Sequence, residues 1–171
     1  FAEPVTKTIT IDRPNFDGTR TTVRDKDAGT LSRDTQVTRA SDGATASRSY
    51  DRTRTEDGFT ASGSATGFDG RTRSFERTHT RTDTGSVGSG EYTTRSGETY
   101  TTSSSRSRTD TGFVANQNIK DSTGTTVFNR DVTASRANGQ ISRSVNVTRA
   151  EGFHPPRRPE RPQGTRRHRG N

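Results

Sequence analysis

The chain has 171 residues, enough for one ordinary domain, but only 21% of them are hydrophobic, and Trp, Met and Cys are absent. A single Leu, Leu31, excludes a conventional Leu/Ile/Phe core, and without an apolar run of 18 residues nothing in the sequence spans a membrane as a helix. The charge of +8 suggests a nucleic-acid binder until it is located: six Arg and one Glu lie between 153 and 171, so that segment holds +5 and the rest of the chain the remaining +3.

In chain order, the first element is "VTKTITI" within residues 1–14, bracketed by Pro4 and Pro14. Val5, Ile9 and Ile11 alternate with Thr, which is the period of a strand, and the segment reads as an N-terminal strand arm. The opening "FAEPV" contains no signal peptide and is expected to be a mature end of an exported protein. The acidic pair Asp25 and Asp27 is a calcium candidate, but the glycine-rich nonapeptide of calcium-binding β-rolls is missing, so turn acids are expected.

Residues 15–152 form a repeat body. Glycines follow short polar clusters at Gly43, Gly58, Gly70, Gly85, Gly97, Gly112, Gly124 and Gly139, with spacings that alternate between 15 and 12. The unit is 27 residues and contains two strands. The arms between glycines alternate, as in "RTRSFERTHTRT", and the composition of 32 Thr and 18 Ser suits pleated surfaces and cross-strand hydroxyl ladders. About ten to twelve strands are expected, with turn signals at the spacing of all-β chains. The repeats stack Arg54, Arg81 and Arg108 in one column and the small residues Ala61, Gly88, Ala115 and Ser142 in another. Beside the small column run Thr60, Val87, Val114 and Ile141. The small column implies close backbone approach, hence a thin sandwich. Asp-Gly and Asn-Gly punctuation favours an antiparallel meander over a β-solenoid with one 27-residue coil per turn. The fold class is therefore all-β.

"RTDTG" occurs twice, at 81–85 and 108–112, and Asp-Thr-Gly is the tripeptide of pepsin-like proteases. At the same repeat position stand "RTEDG" and "SRANG", so what persists is a polar pair and a glycine, which is turn chemistry. No nucleophile, base and orienting group converge, and the chain is read as a non-enzyme with no catalytic, cofactor or metal site. His79, His154 and His168 lack metal spacing, and "NVT" at 146–148 matches a glycosylation acceptor by a short pattern only.

Near the end of the body, "ISRSVNV" puts Ile141, Val145 and Val147 on one face with Arg143 between them. This strand and the first are the most regular apolar ones, and they lie at opposite ends of the array. They are expected to join copies head to tail, the first strand of one subunit completing the last repeat of the next. The segment 153–171 is Pro- and Arg-rich and is expected to be extended, and Arg157, Arg158, Arg161, Arg166, Arg167 and Arg169 are its candidate contacts to an anionic polymer.

The endings "RTRTEDG", "RTDTG" and "VTRAEGF", over residues 5–153, resemble exported bacterial Thr/Arg-rich repeat proteins of unassigned function. The resemblance implies export and a role at the cell surface. The polar, Gly-punctuated β-repeats are also similar in logic to curli-type fibre subunits, without the curli Gln/Asn ladder. Three functions follow as expectations: a structural subunit of an extracellular filament or surface layer, partnered by copies of itself; a secreted polyanion-binding module; and, because of the Thr arrays, an ice-binding surface.

Overall fold

The computed structural model describes residues 3–155. Eleven strands follow one another: β1 (Val5–Arg13), β2 (Phe16–Asp25), β3 (Thr30–Arg39), β4 (Thr45–Arg54), β5 (Gly58–Thr66), β6 (Thr72–Thr82), β7 (Gly85–Thr93), β8 (Thr99–Thr109), β9 (Gly112–Lys120), β10 (Thr126–Ala137) and β11 (Gln140–Arg149). Spatial order equals chain order. Each strand pairs antiparallel with its sequence neighbours, so the sheet is an open meander, as the turn chemistry requires. All substantial strand contacts run between consecutive strands. The sheet is therefore one layer, and the thin sandwich expected from the small column gives way to it. The physical reason is supply: a second layer needs an apolar inner face on each sheet, and this chain has apolar residues for part of one face.

The two ends of the sheet use glycine differently. At one end, loops such as Thr94–Glu98 close by Gly97 N–H donating to Thr94 O (3.0 Å) and Thr94 N–H donating to Glu98 O (2.9 Å). Gly97 has φ +90 there, and Gly43, Gly70 and Gly124 share the left-handed conformation at the matching loops. At the other end the β4–β5, β6–β7 and β8–β9 turns have two central residues. Thr82 pairs with Gly85 and Thr109 with Gly112, so Gly85 and Gly112, like Gly58, are first residues of strands without positive φ. These three are glycine for space: a Cβ on Gly85 would overlap the carbonyl oxygen of Arg106. Turn chemistry at Gly58, Gly85 and Gly112 therefore asks for a missing side chain rather than for positive φ.

A register shift interrupts β10 between Thr126 and Phe128, and its last turn is Asn138–Gly139, with φ 50 and 76. Gly139 therefore occupies a central turn position, where its repeat counterparts Gly85 and Gly112 begin strands. A one-residue slip exchanges the two faces of a strand. Hence Ile141 lies on the face of Ala115 and Ser142 on the face of Val114, the reverse of the stacked columns read from the repeat.

Candidate functional site: two faces and two edges

Residues paired across antiparallel strands share a face, so the registers sort every strand side chain. One row across the whole sheet reads Val5, Arg24, Leu31, Arg52, Ala61, Arg77, Gly90, Thr102, Ile119, Phe128, Arg149. We call this the front face. Every Arg of the eleven strands lies on it, together with Lys7 and all the strand aromatics, and no carboxylate does. Every Asp and Glu of the strands lies on the back face, among Thr and Ser, with Lys120 as its cation.

On the front face the arginines concentrate on the even-numbered strands and the small residues on β5, β7 and β9. Arg52 of β4 and Arg77 of β6 stand on either side of Ala61 of β5. Both guanidinium groups lie over the Phe59 ring, at 4.2 and 5.2 Å from its centroid. Arg106 repeats the arrangement over Phe113 at 4.1 Å. Each such stack contributes about 0.5–1 kcal/mol where exposed. The small column thus makes room for long neighbouring side chains rather than for a second sheet. Gly63 does the same between Tyr50 and Phe75, whose rings meet across it with centroids 6.3 Å apart.

The buried residues Ala61, Ile119, Phe128, Val132 and Ala134 are all on the front face, four of them on β9 and β10. Beyond β11 the chain turns back, Ala150 N–H donating to Val127 O, and the Phe153 ring meets Tyr100 (5.3 Å) and Phe128 (6.5 Å). Tyr92 stacks on Tyr100 at 5.2 Å. Burial, with Tyr100 adding to it, pushes the Tyr92 hydroxyl up to about 12.

The back face is held by hydroxyls. Ser49 and Ser64 hydroxyls are 2.9 Å apart, Thr66 and Thr72 2.8 Å, and Thr93 and Thr99 3.2 Å, each pair bridging neighbouring strands. Asn116 donates to Asn129 (3.0 Å) and Asp131 (2.6 Å), and Asn129 donates to Asp131, a closed amide–carboxylate group.

The "RTDTG" aspartates Asp83 and Asp110 sit at the tips of two separate hairpins, the turns between β6 and β7 and between β8 and β9. The carbonyls of Asp57, Thr84 and Thr111 accept the N–H of Arg81, Arg108 and Arg136 in the following hairpin, a backbone bond that recurs along this end of the sheet. Asp25 accepts from the Asp27 and Ala28 N–H groups (2.9 and 2.8 Å) as a turn acid. Asp42 is held below the usual carboxylate range by the Arg39 guanidinium, and Asp121 by the Thr123 hydroxyl. His79 lies beside Phe59 at 5.3 Å, and Asn146 is exposed on the back face of β11. Arg157, Arg158, Arg161, Arg166, Arg167 and Arg169 lie outside the described residues. Among the described residues no helix is long and apolar enough to cross a membrane, and no three His, Cys, Asp or Glu are grouped to hold a metal.

The six apolar residues singled out at the termini are brought to one face on the two edge strands. Val5, Ile9 and Ile11 are on β1; Ile141, Val145 and Val147 are on β11. All but Ile11 are large exposed aliphatics, Ile141 at 76% and Val5 at 63%. β1 is paired along its full length with β2 of its own chain, so it is not a detached arm, and any joint it makes uses its outer edge. Which face holds the cations was hidden in the sequence, because period two fixes alternation within a strand and not the register between strands.

Comparison of the chain with protein-family models, with curated proteins and with solved structures gives no match.

Proposed function

We propose that this protein is a non-enzymatic structural subunit, exported to the cell surface or beyond, whose copies join through their sheet edges into a β-rich filament or layer. The observation that carries the reading is the open, single-layer sheet. It ends in two long strands whose outer N–H and C=O groups have no strand neighbour among the described residues and whose front-face aliphatics, Ile11 apart, are exposed. An uncovered edge of this length is a template for another strand. Concentration-dependent sedimentation and electron microscopy of the purified full chain test it. Ribbons or filaments without any added polymer are expected; a chain that stays monomeric at high concentration overturns the reading.

A second reading rests on a different observation, the sorting of all strand arginines onto a face without carboxylates. Such a face suits an anionic polymer, held by charge and released by salt. Binding of an acidic polysaccharide that weakens steeply with salt, and that Arg52→Gln with Arg77→Gln reduces several-fold, is its expected signature; binding indifferent to salt counts against it.

A further inference from the structure

The assembly reading leaves open how one sheet meets the next, and the edge strands carry the answer. Along the front face β1 presents Val5, Lys7, Ile9, Ile11, Arg13, and β11 presents Ile141, Arg143, Val145, Val147, Arg149. The order is the same in both: aliphatic, cation, aliphatic, aliphatic, cation. Read backwards and laid against itself, this order puts each cation opposite an aliphatic and the central aliphatic opposite its own copy. It is self-complementary in the antiparallel sense.

The strand count limits the geometry. With eleven antiparallel strands, β1 and β11 point the same way. A head-to-tail joint that keeps the front faces on one side must therefore be parallel. In register it sets Lys7 against Arg143 and Arg13 against Arg149, and like charges directly opposite destabilise a sheet. Sliding by two residues relieves this only by shortening the joint, which stays parallel and weaker per residue. An antiparallel joint between β1 and β11 would turn one front face to the back, splitting the arginine surface. A two-fold axis normal to the sheet avoids all three penalties, and it pairs like edge with like.

Resting on the assembly reading above, we infer that copies join isologously, β1 to β1 about Ile9 and β11 to β11 about Val145, in alternating two-fold joints that continue the meander. At the first joint Lys7 faces the partner copy's Ile11 and Val5 faces its Arg13, while Thr8 meets Thr10 on the back. At the second, Arg143 faces Val147 and Ile141 faces Arg149. The cations in the edge strands select this joint and reject the in-register parallel one. The product is a ribbon with all its strand arginines on one side, built from subunits of alternating orientation.

The chain has no cysteine, so single substitutions report the joints without background. Ile9→Cys and Val145→Cys, each in the full chain and oxidised mildly under assembly conditions, bring two sulfurs to positions directly opposite one another, within disulfide reach. Each variant alone is expected to give covalent dimers, and a mixture of the two is expected to give no 9–145 hybrid above the level of Thr133→Cys, an exposed back-face control on β10. Ile9→Lys, at a position already 44% exposed, closes one edge. It is expected to stop assembly at dimers joined through β11. Ribbons that form while Ile9→Cys and Val145→Cys cross-link only to each other, or Ile9→Lys halting at monomers, establish a head-to-tail joint and overturn the inference while leaving the assembly reading intact. A wild-type chain that never associates overturns both.

Discussion

The two faces of this sheet have the same backbone and opposite chemistry. The front face gathers the aromatic rings, the five buried side chains and every strand guanidinium; the back face gathers hydroxyls, amides and carboxylates. In a two-layer domain the difference would be inside against outside. Here both faces meet solvent, and the difference is between side chains long enough to cover their neighbours and side chains too short to do so. Arginine stems laid over Phe59 and Phe113 take the part that a second sheet plays elsewhere. The faces should therefore respond unequally to substitution, the front losing packing and the back losing little.

The largest effect is expected where the front face is most enclosed. Phe128 is 7% exposed, beside Ile119 in register and against the Phe153 ring. Phe128→Ala should cost about 3–5 kcal/mol, read as a lowered urea midpoint. A loss no greater than that of Arg52→Ala, about 1 kcal/mol, would show that β9 and β10 hold no more of the stability than the arginine stacks do.

Second come the positions where the back face has no room at all. Gly85→Ala forces a methyl group into the Arg106 carbonyl and should cost up to about 3 kcal/mol. At Gly97, whose Cβ would meet open space, alanine is strained only by its positive φ and should cost about 1 kcal/mol. Equal losses in thermal melts would mean that the two ends of the sheet do not divide glycine's roles.

That division marks the limit of what the sequence discloses. The 27-residue beat, the strands and the meander follow from Gly spacing and alternation, because hairpin turns and period-two patterns are local. The turn role of Asp83 and Asp110 follows too, since Asp57 and Asn138 stand in for them. The sorting of arginines onto one face depends on register across all the strands, and the slip at β10 that turns Ile141, Val145 and Val147 to the front leaves the glycine spacing unchanged. The small column was visible, but its purpose was not: Ala61 and Gly63 are small because Arg52, Arg77 and Phe75 lie beside them, and those neighbours are 9 to 16 residues away in sequence.

A third, smaller effect concerns pH on the front face. Tyr92 holds its proton to about 12, above the value of about 10 for an unfolded tyrosine. Below about 10 both states are protonated and the contribution of its packing is whole. Between there and about 12 the unfolded chain gives up the proton and the native chain does not, so stability falls as pH rises; above that window it is lost. Titration of tyrosinate absorbance should show late ionisation, to which Tyr100 also contributes because burial raises it too, coupled to an alkaline loss of stability, and Tyr92→Phe should remove the largest part of that loss. Alkaline unfolding unchanged in Tyr92→Phe would mean that this ring is as wet as the back face.

The smallest effect should come from the back face itself. The hydroxyls of Ser49 and Ser64 meet at 2.9 Å across β4 and β5, and the Ser64 N–H also donates to the Ser49 oxygen, at 3.2 Å. Both groups are accessible to water, which replaces a lost hydroxyl partner at little cost. Cross-strand pairs of this kind contribute roughly 0.2–1 kcal/mol. In a double-mutant cycle of Ser49→Ala and Ser64→Ala, the coupling is expected at the lower end of that range, with assembly unaltered because neither residue touches an edge strand. A coupling above about 1 kcal/mol would make the hydroxyl ladders a principal support of the sheet. The two faces would then share the work of holding eleven polar strands together, and the front face would be left with its arginines free for a partner rather than engaged in packing.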